Sequence, residues 1–214
     1  MLMNEERKLL VEYGNRLFES KLTKGTGGNL SIYDRKTGYM AITPSGIEFH
    51  KTHDEDIVIL TLDGKVIEGD KKPSSEWQMH ANVYKNREDI NSVIHAHTLF
   101  ASIFACLRES ILPSHYMLEV AGGEVRCAEY ATFGSKELAE NAIKSMEGRK
   151  AVLLANHGIL AGEKDIANAF NVIDQVEYCA NVYYRARSIG KPYIIDDEEL
   201  KVLEKKFENY GQIK

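Results

Sequence analysis

Two histidines stand one residue apart in the apolar run VIHAHTLFAS, at His95 and His97. Residues two apart on a strand project to the same face, so the spacing predicts two imidazoles side by side. Imidazole nitrogen is a ligand for zinc and related divalent ions, and such a pair is a natural chelate. The alternative for the pair alone is two satisfied histidines at the rim of a core. A third imidazole, His157, follows the run AVLLAN and precedes Gly158, where a strand would deliver its last side chain to a sheet edge or pocket. Three imidazoles leave a coordination position open, as a catalytic zinc site requires. Glu76, in PSSEW, stands near the start of an expected helix. Its carboxylate either complements the helix dipole or sits beside the metal as ligand, proton carrier or both.

Three short stretches have the chemistry of an anion site. GTGGN supplies Gly28 and Asn29 in a loop whose backbone can approach a phosphate closely. TPSG adds Ser45 and Gly46, and PSSE adds the hydroxyls of Ser74 and Ser75 beside a helix start. Each alone is an ordinary turn. Together with a metal set they point to a phosphorylated substrate.

The bulk properties narrow the setting. The 214 residues suit one domain, 1–214, and no linker or internal repeat divides them. A formal charge of -5 argues against nucleic acid as a partner. Cys106, Cys127 and Cys179 form no CxxC and no secreted-type framework, which suggests a reducing cytoplasm. Cys106 and Cys179 read as small core residues. No signal-like segment opens the chain, and no run is apolar and long enough to cross a membrane. Neither a GxSxG elbow nor a GxGxxG after a strand occurs.

Periodicity places these residues on elements. Leu10, Tyr13, Gly14, Leu17 and Phe18 define one face of a helix over residues 4–20. GYMAIT reads as a strand, and DIVILTLDGKVIEG as a hairpin turning at Asp63-Gly64. A helix capped by Ser74 or Ser75 is expected through YKN, then the strand NSVIHAH. GGEVRCAEY is a weaker strand, residues 135–146 a helix, and RKAVLLANHG a buried strand ending at Gly158. Asp165 should cap a long helix, and a last helix from DDEEL should stop at Gly211. The pattern predicts an α/β fold, an α/β/α sandwich with a central, largely antiparallel sheet covered by helices.

Read in order, GTGGNLS, ITPSGI, PSSEW, HAH, LPSHYM, AEYATFG, NHGIL and KFENYG resemble the class II aldolase/epimerase family nearly end to end. The resemblance implies a zinc ion held by His95, His97 and His157, with Glu76 as a displaceable fourth ligand and proton carrier. It implies a phosphate site of Gly28, Asn29, Ser45, Gly46, Ser74 and Ser75. It also implies a homotetramer in which Tyr116 enters a neighbouring subunit's active site, with Phe133 and Tyr210 in the substrate pocket. The implied reaction is reversible cleavage of a ketose 1-phosphate, of the L-fuculose 1-phosphate type, into dihydroxyacetone phosphate and an aldehyde. On the same scaffold, a ribulose-5-phosphate 4-epimerase would re-add the aldehyde fragment, and a methylthioribulose-1-phosphate dehydratase would eliminate water. A non-catalytic sugar-phosphate binder is the reading from another class.

Overall fold

The computed structural model describes residues 1–208. Its centre is one eight-stranded sheet. The strands are β1 (Asn29–Asp34), β2 (Tyr39–Ile42), β3 (Val58–Thr61), β4 (Val66–Glu68), β5 (Ser92–Ala96), β6 (Cys127–Ala128), β7 (Ala151–Leu154) and β8 (Gly158–Glu163). They lie in the order β4-β3-β2-β1-β5-β8-β7-β6. The sheet is antiparallel except where β6 runs parallel to β7. The largely antiparallel α/β/α architecture expected from the sequence is the one observed.

Alternation along the strands sorts two cores. Ala41, Ile59, Ile94, Leu153 and Ile159 face one side, where they meet helices α1 (Asn4–Glu19), α3 (Leu99–Leu107) and α5 (Ile166–Ile189). Met40, Leu60, Val93, Val152 and Leu160 face the other, under α2 (Trp77–Asn86) and α4 (Lys136–Ser145). Asp165 caps α5 through its side chain, as expected, and Ser135, read from the sequence as part of its helix, caps α4 in the same way. A last helix, α6 (Asp197–Glu208), follows; its expected stop at Gly211 lies outside the described residues. No helix among the described residues is long and apolar enough to cross a membrane.

Several local expectations are corrected. Helix α2 starts at Trp77, with Glu76 in the N-cap position, so neither Ser74 nor Ser75 caps it. Ser74 Oγ instead accepts from the Glu76 backbone N–H at 3.3 Å. The strand expected to end at Gly158 ends at Leu154; Ala155–His157 form a tight turn into β8, with Asn156 at φ 54°. The segment after HAH, to which the sequence periodicity assigns no element, is helix α3. It buries Ala101, Phe104 and Ala105 but leaves Leu99 and Leu107 more than half exposed, so apolar residues on both faces hide the helical period. The weaker strand shrinks to Cys127–Ala128. Cys106 is exposed, not a core residue, whereas Cys179 is buried. Phe18 is 40% exposed and leaves the buried face of α1 to its neighbours.

A buried cation pins α1 to the sheet's far edge. Arg7 is 1% exposed and donates to the carbonyls of Leu2, Asp54 and Ile57 while pairing with Glu68 at 2.9 Å. Arg7→Met keeps the stem but strands these acceptors. Urea unfolding should show a loss of about 3 kcal/mol, the scale of charge-assisted bonds left unmade, with an unchanged far-UV spectrum.

Candidate active site

His95 is the most deeply buried of the three imidazoles. On β5 it stands opposite Asn29 of β1 and Leu160 of β8. Its Nδ1 lies 2.9 Å from the Ile159 carbonyl. A carbonyl only accepts, so Nδ1 carries the proton and Nε2 presents its lone pair to the site. Nε2 lies 2.9 Å from His97 Nε2, although His97 itself stands just beyond the end of β5. The turn between β7 and β8 brings His157 in, its ring centroid 4.6 Å from that of His95. One ligand atom from each of the three lies within 4.8 Å of the others.

Glycines make this convergence possible. A Cβ on Gly158 would come within 2.5 Å of the Ala96 carbonyl and 2.9 Å of His97. One on Gly28, which has φ +88°, would stand 2.6 Å from the His95 carbonyl. Two backbones therefore close on the histidine strand at distances that only glycine tolerates.

Glu76 closes the cluster from the start of α2. It is 6% exposed. Its Oε2 lies 3.3 Å from His95 Nε2 and accepts from Asn29 Nδ2 at 3.0 Å. Oε1 lies 3.6 Å from His157 Nε2 and has no hydrogen-bond partner. A buried carboxylate oxygen without a partner is costly, and a cation among these groups would satisfy it. Burial, reinforced by the neighbouring imidazoles, pushes His95 well below and His97 below the ordinary histidine range. Both rings stay neutral, the form that binds metal. Three nitrogens and one carboxylate oxygen form a donor set suited to zinc or a related divalent ion.

A cavity of about 330 Å³ opens over these groups. Glu76, His97 and His157 border it, whereas His95 lies beneath them. The six residues named for phosphate, Gly28, Asn29, Ser45, Gly46, Ser74 and Ser75, all line it. Asn29 is largely committed, because its carbonyl oxygen meets His80 and its amide nitrogen meets Glu76. Phe133 and Tyr130 form an aromatic wall. Tyr116 lies elsewhere, half exposed at the start of a 3-10 turn and stacked on Phe207. Tyr210 lies outside the described residues.

Sequence reasoning missed the layer behind the site. His80 is fully buried, with its ring nitrogens on Asn29 Oδ1 and Ser31 Oγ, and Tyr84 meets the same hydroxyl. Two spacings carry that signal. Glu76, His80 and Tyr84 recur every fourth residue along one helix stripe, and Asn29 and Ser31 share a strand face. Asn156 also lines the cavity, its side chain held by Arg108 Nε at 2.9 Å. Nothing in the sequence pattern pointed to it.

A family model for the class II aldolase and adducin N-terminal domain matches residues 8–184. The chain belongs to this class II aldolase family. A 5-deoxy-D-ribulose 1-phosphate aldolase of Bacillus thuringiensis serovar kurstaki is 50% identical over 212 residues, covering 99% of this chain and all of its own length (100%). An L-fuculose phosphate aldolase of Escherichia coli strain K12 is 40% identical over 192 residues, 89% of this chain and 88% of its own. A solved structure of an L-fuculose 1-phosphate aldolase superposes with a TM-score of 0.95 at 54% identity, over 97% of this chain and 98% of its own.

Metal binding to the folded chain should be measurable as stability. Zinc at a hundredfold excess over its Kd should stabilise the protein by about 2.7 kcal/mol in denaturant titrations. His97→Ala should remove most of that gain while leaving the metal-free protein folded. Equal stabilisation of the wild type and the variant would place the ion elsewhere.

Proposed function

We propose that this chain is a metal-dependent aldolase that cleaves a ketose 1-phosphate between C3 and C4, and forms the same bond in reverse. The products are dihydroxyacetone phosphate and a short aldehyde. The observation that carries the reading is Glu76: a buried carboxylate with one unpartnered oxygen, set against three imidazoles at the floor of a cavity lined by phosphate-type loops.

When bound, a divalent cation held by His95, His97, His157 and Glu76, zinc by donor type, supplies Lewis-acid stabilisation of the negative charge that cleavage leaves on the three-carbon fragment. Glu76 Oε1 carries the proton to and from C3 of that fragment. Gly28, Ser45, Gly46, Ser74 and Ser75, with the remaining amide hydrogen of Asn29, hold the phosphate and so align C3 and C4 with the carboxylate. Tyr116 lies outside its own chain's cavity, and in our reading serves the cavity of a neighbouring copy in a homotetramer. There it manages the proton of the C4 hydroxyl as that carbon becomes an aldehyde. Tyr210 belongs to the same pocket wall. The whole chain acts as one domain, in the cytoplasm.

The substrate class follows from the aromatic part of the cavity lining. Tyr130 and Phe133 present aromatic surface there, which suits an apolar chain end better than a hydroxymethyl group. The relatives' names fit this choice, since L-fuculose and 5-deoxyribulose both end in a methyl group. Cleavage of a 5-deoxyribulose 1-phosphate would release acetaldehyde, and that of L-fuculose 1-phosphate L-lactaldehyde. We favour a terminally deoxygenated ketose 1-phosphate of this type.

Proton NMR of dihydroxyacetone phosphate in D2O tests the reading without an aldehyde. The zinc-loaded protein should exchange one C3 proton, and a chelator should abolish the loss of signal. Glu76→Gln should keep its metal and lose the exchange by about 100-fold or more, the scale of general acid–base catalysis. Full exchange in that variant would refute the role of Glu76. Absence of exchange in metal-loaded wild type would shift the assignment to epimerisation or dehydration, to be assayed next with ribulose-type phosphates.

A further inference from the structure

Behind Glu76 a file of buried polar groups has only one consistent assignment of protons. Glu76 Oε2 lies 3.0 Å from Asn29 Nδ2. A carboxylate accepts only, so the Asn29 amide turns its NH2 to Glu76 and its carbonyl oxygen to His80 Nε2, 2.5 Å away. That oxygen also only accepts, so His80 Nε2 carries the proton. Burial pushes His80 down to about 3, which keeps the ring neutral and leaves Nδ1 as an acceptor. The Ser31 hydroxyl, 2.6 Å from Nδ1, must therefore donate to it. Ser31 Oγ also lies 2.7 Å from the Tyr84 hydroxyl, which donates to the Ser31 backbone carbonyl at 3.0 Å. Burial holds that phenol far above its ordinary range, so it remains a donor. From Ser31 through His80 to Asn29 every donor points toward Glu76, an arrangement in which successive bonds polarise one another.

We infer that His80 is a positioning residue for Glu76: acting through Asn29, it anchors Oε2 and leaves Oε1 as the carboxylate oxygen free to carry the proton. This rests on Glu76 being the proton carrier proposed above. The physical need lies in the amide. The two ends of an asparagine side chain are nearly the same shape, and only hydrogen-bond partners distinguish them. A flipped Asn29 would set its oxygen against Oε2, replacing attraction with repulsion between acceptors. The Nε2–H of His80 makes the flip unfavourable. Burial of all these groups removes water as a substitute partner, since His80, Ser31 and Tyr84 are each at most 2% exposed.

The test separates positioning from packing. His80→Phe fills the space but removes the donor, and deuterium exchange into dihydroxyacetone phosphate should slow by about 10- to 100-fold, the usual cost of losing an outer-shell partner. KM for dihydroxyacetone phosphate and zinc content should stay at wild-type values. His80→Gln places an amide N–H where Nε2–H stood and should recover the larger part of the rate. Should His80→Phe fail to fold, Ser31→Ala decides. It leaves the ring in place but frees its tautomer, so it should lower kcat and not raise KM. Independently of turnover, 15N NMR of the metal-free wild type should show His80 as the neutral Nε2–H tautomer. An Nδ1–H tautomer, wild-type exchange in the folded variants, or a change in KM alone would overturn the inference. Failure of the wild type itself to exchange is a different result. It removes the proton-carrier reading, and this inference with it.

Discussion

A carboxylate held out of water among three imidazoles sets the terms for everything around it. The side-chain partners of Glu76 among the described residues are the rings of His95 and His157 and the Asn29 amide. Removing a charge from water without compensation costs several kcal/mol, so the surrounding chain has to supply fixed dipoles or an ion. The local structure reads as a response to that requirement. Helix α2 begins at the next residue, which turns the positive end of its dipole toward the carboxylate. Strands β1 and β5 pair in a register that sets Asn29 directly across from His95. Glycines at positions 28 and 158 let neighbouring backbones come close enough to hold those side chains still.

The sheet explains why the site can be both rigid and open. His95 and Asn29 project from adjacent central strands, where each backbone is paired on both sides. The phosphate-type loops, by contrast, leave from strand ends and reach the cavity as turns. Precision belongs to the first group and access to the second. No lysine or arginine among the described residues lines the cavity. Backbone amides and hydroxyls suffice for an anion there, so a net charge of -5 is no obstacle to a phosphorylated ligand.

The aromatic residues of the cavity and the buried file behind Glu76 divide two tasks. Tyr130 and Phe133 are more than half exposed and face whatever enters. His80, Ser31 and Tyr84 are closed off from it. Variation in the first group changes which chain end fits. The second group admits few replacements, because His80 and Ser31 each have to donate toward Glu76 from a closed, buried position.

Much of this was legible in the residue order. Two-residue spacing put His95 and His97 on one face, and helical periods located α1, α4 and α5, with Asp165 as a cap, because these features depend on neighbours within a turn or two. The donor types alone announced a metal site. Tertiary structure decided the rest. His157 comes from a turn and not from the end of a strand, Glu76 takes the N-cap place expected of a serine, and Tyr116 stands away from its own chain's cavity. The run after His97 is helix α3, whose buried face of Ala101, Phe104 and Ala105 was masked by apolar residues on its exposed side. His80 acquired its partners only when α2 was laid across β1. Spacing along a chain determines which face a side chain occupies; what that face meets is set by strand order and helix docking, which join residues that no local rule connects.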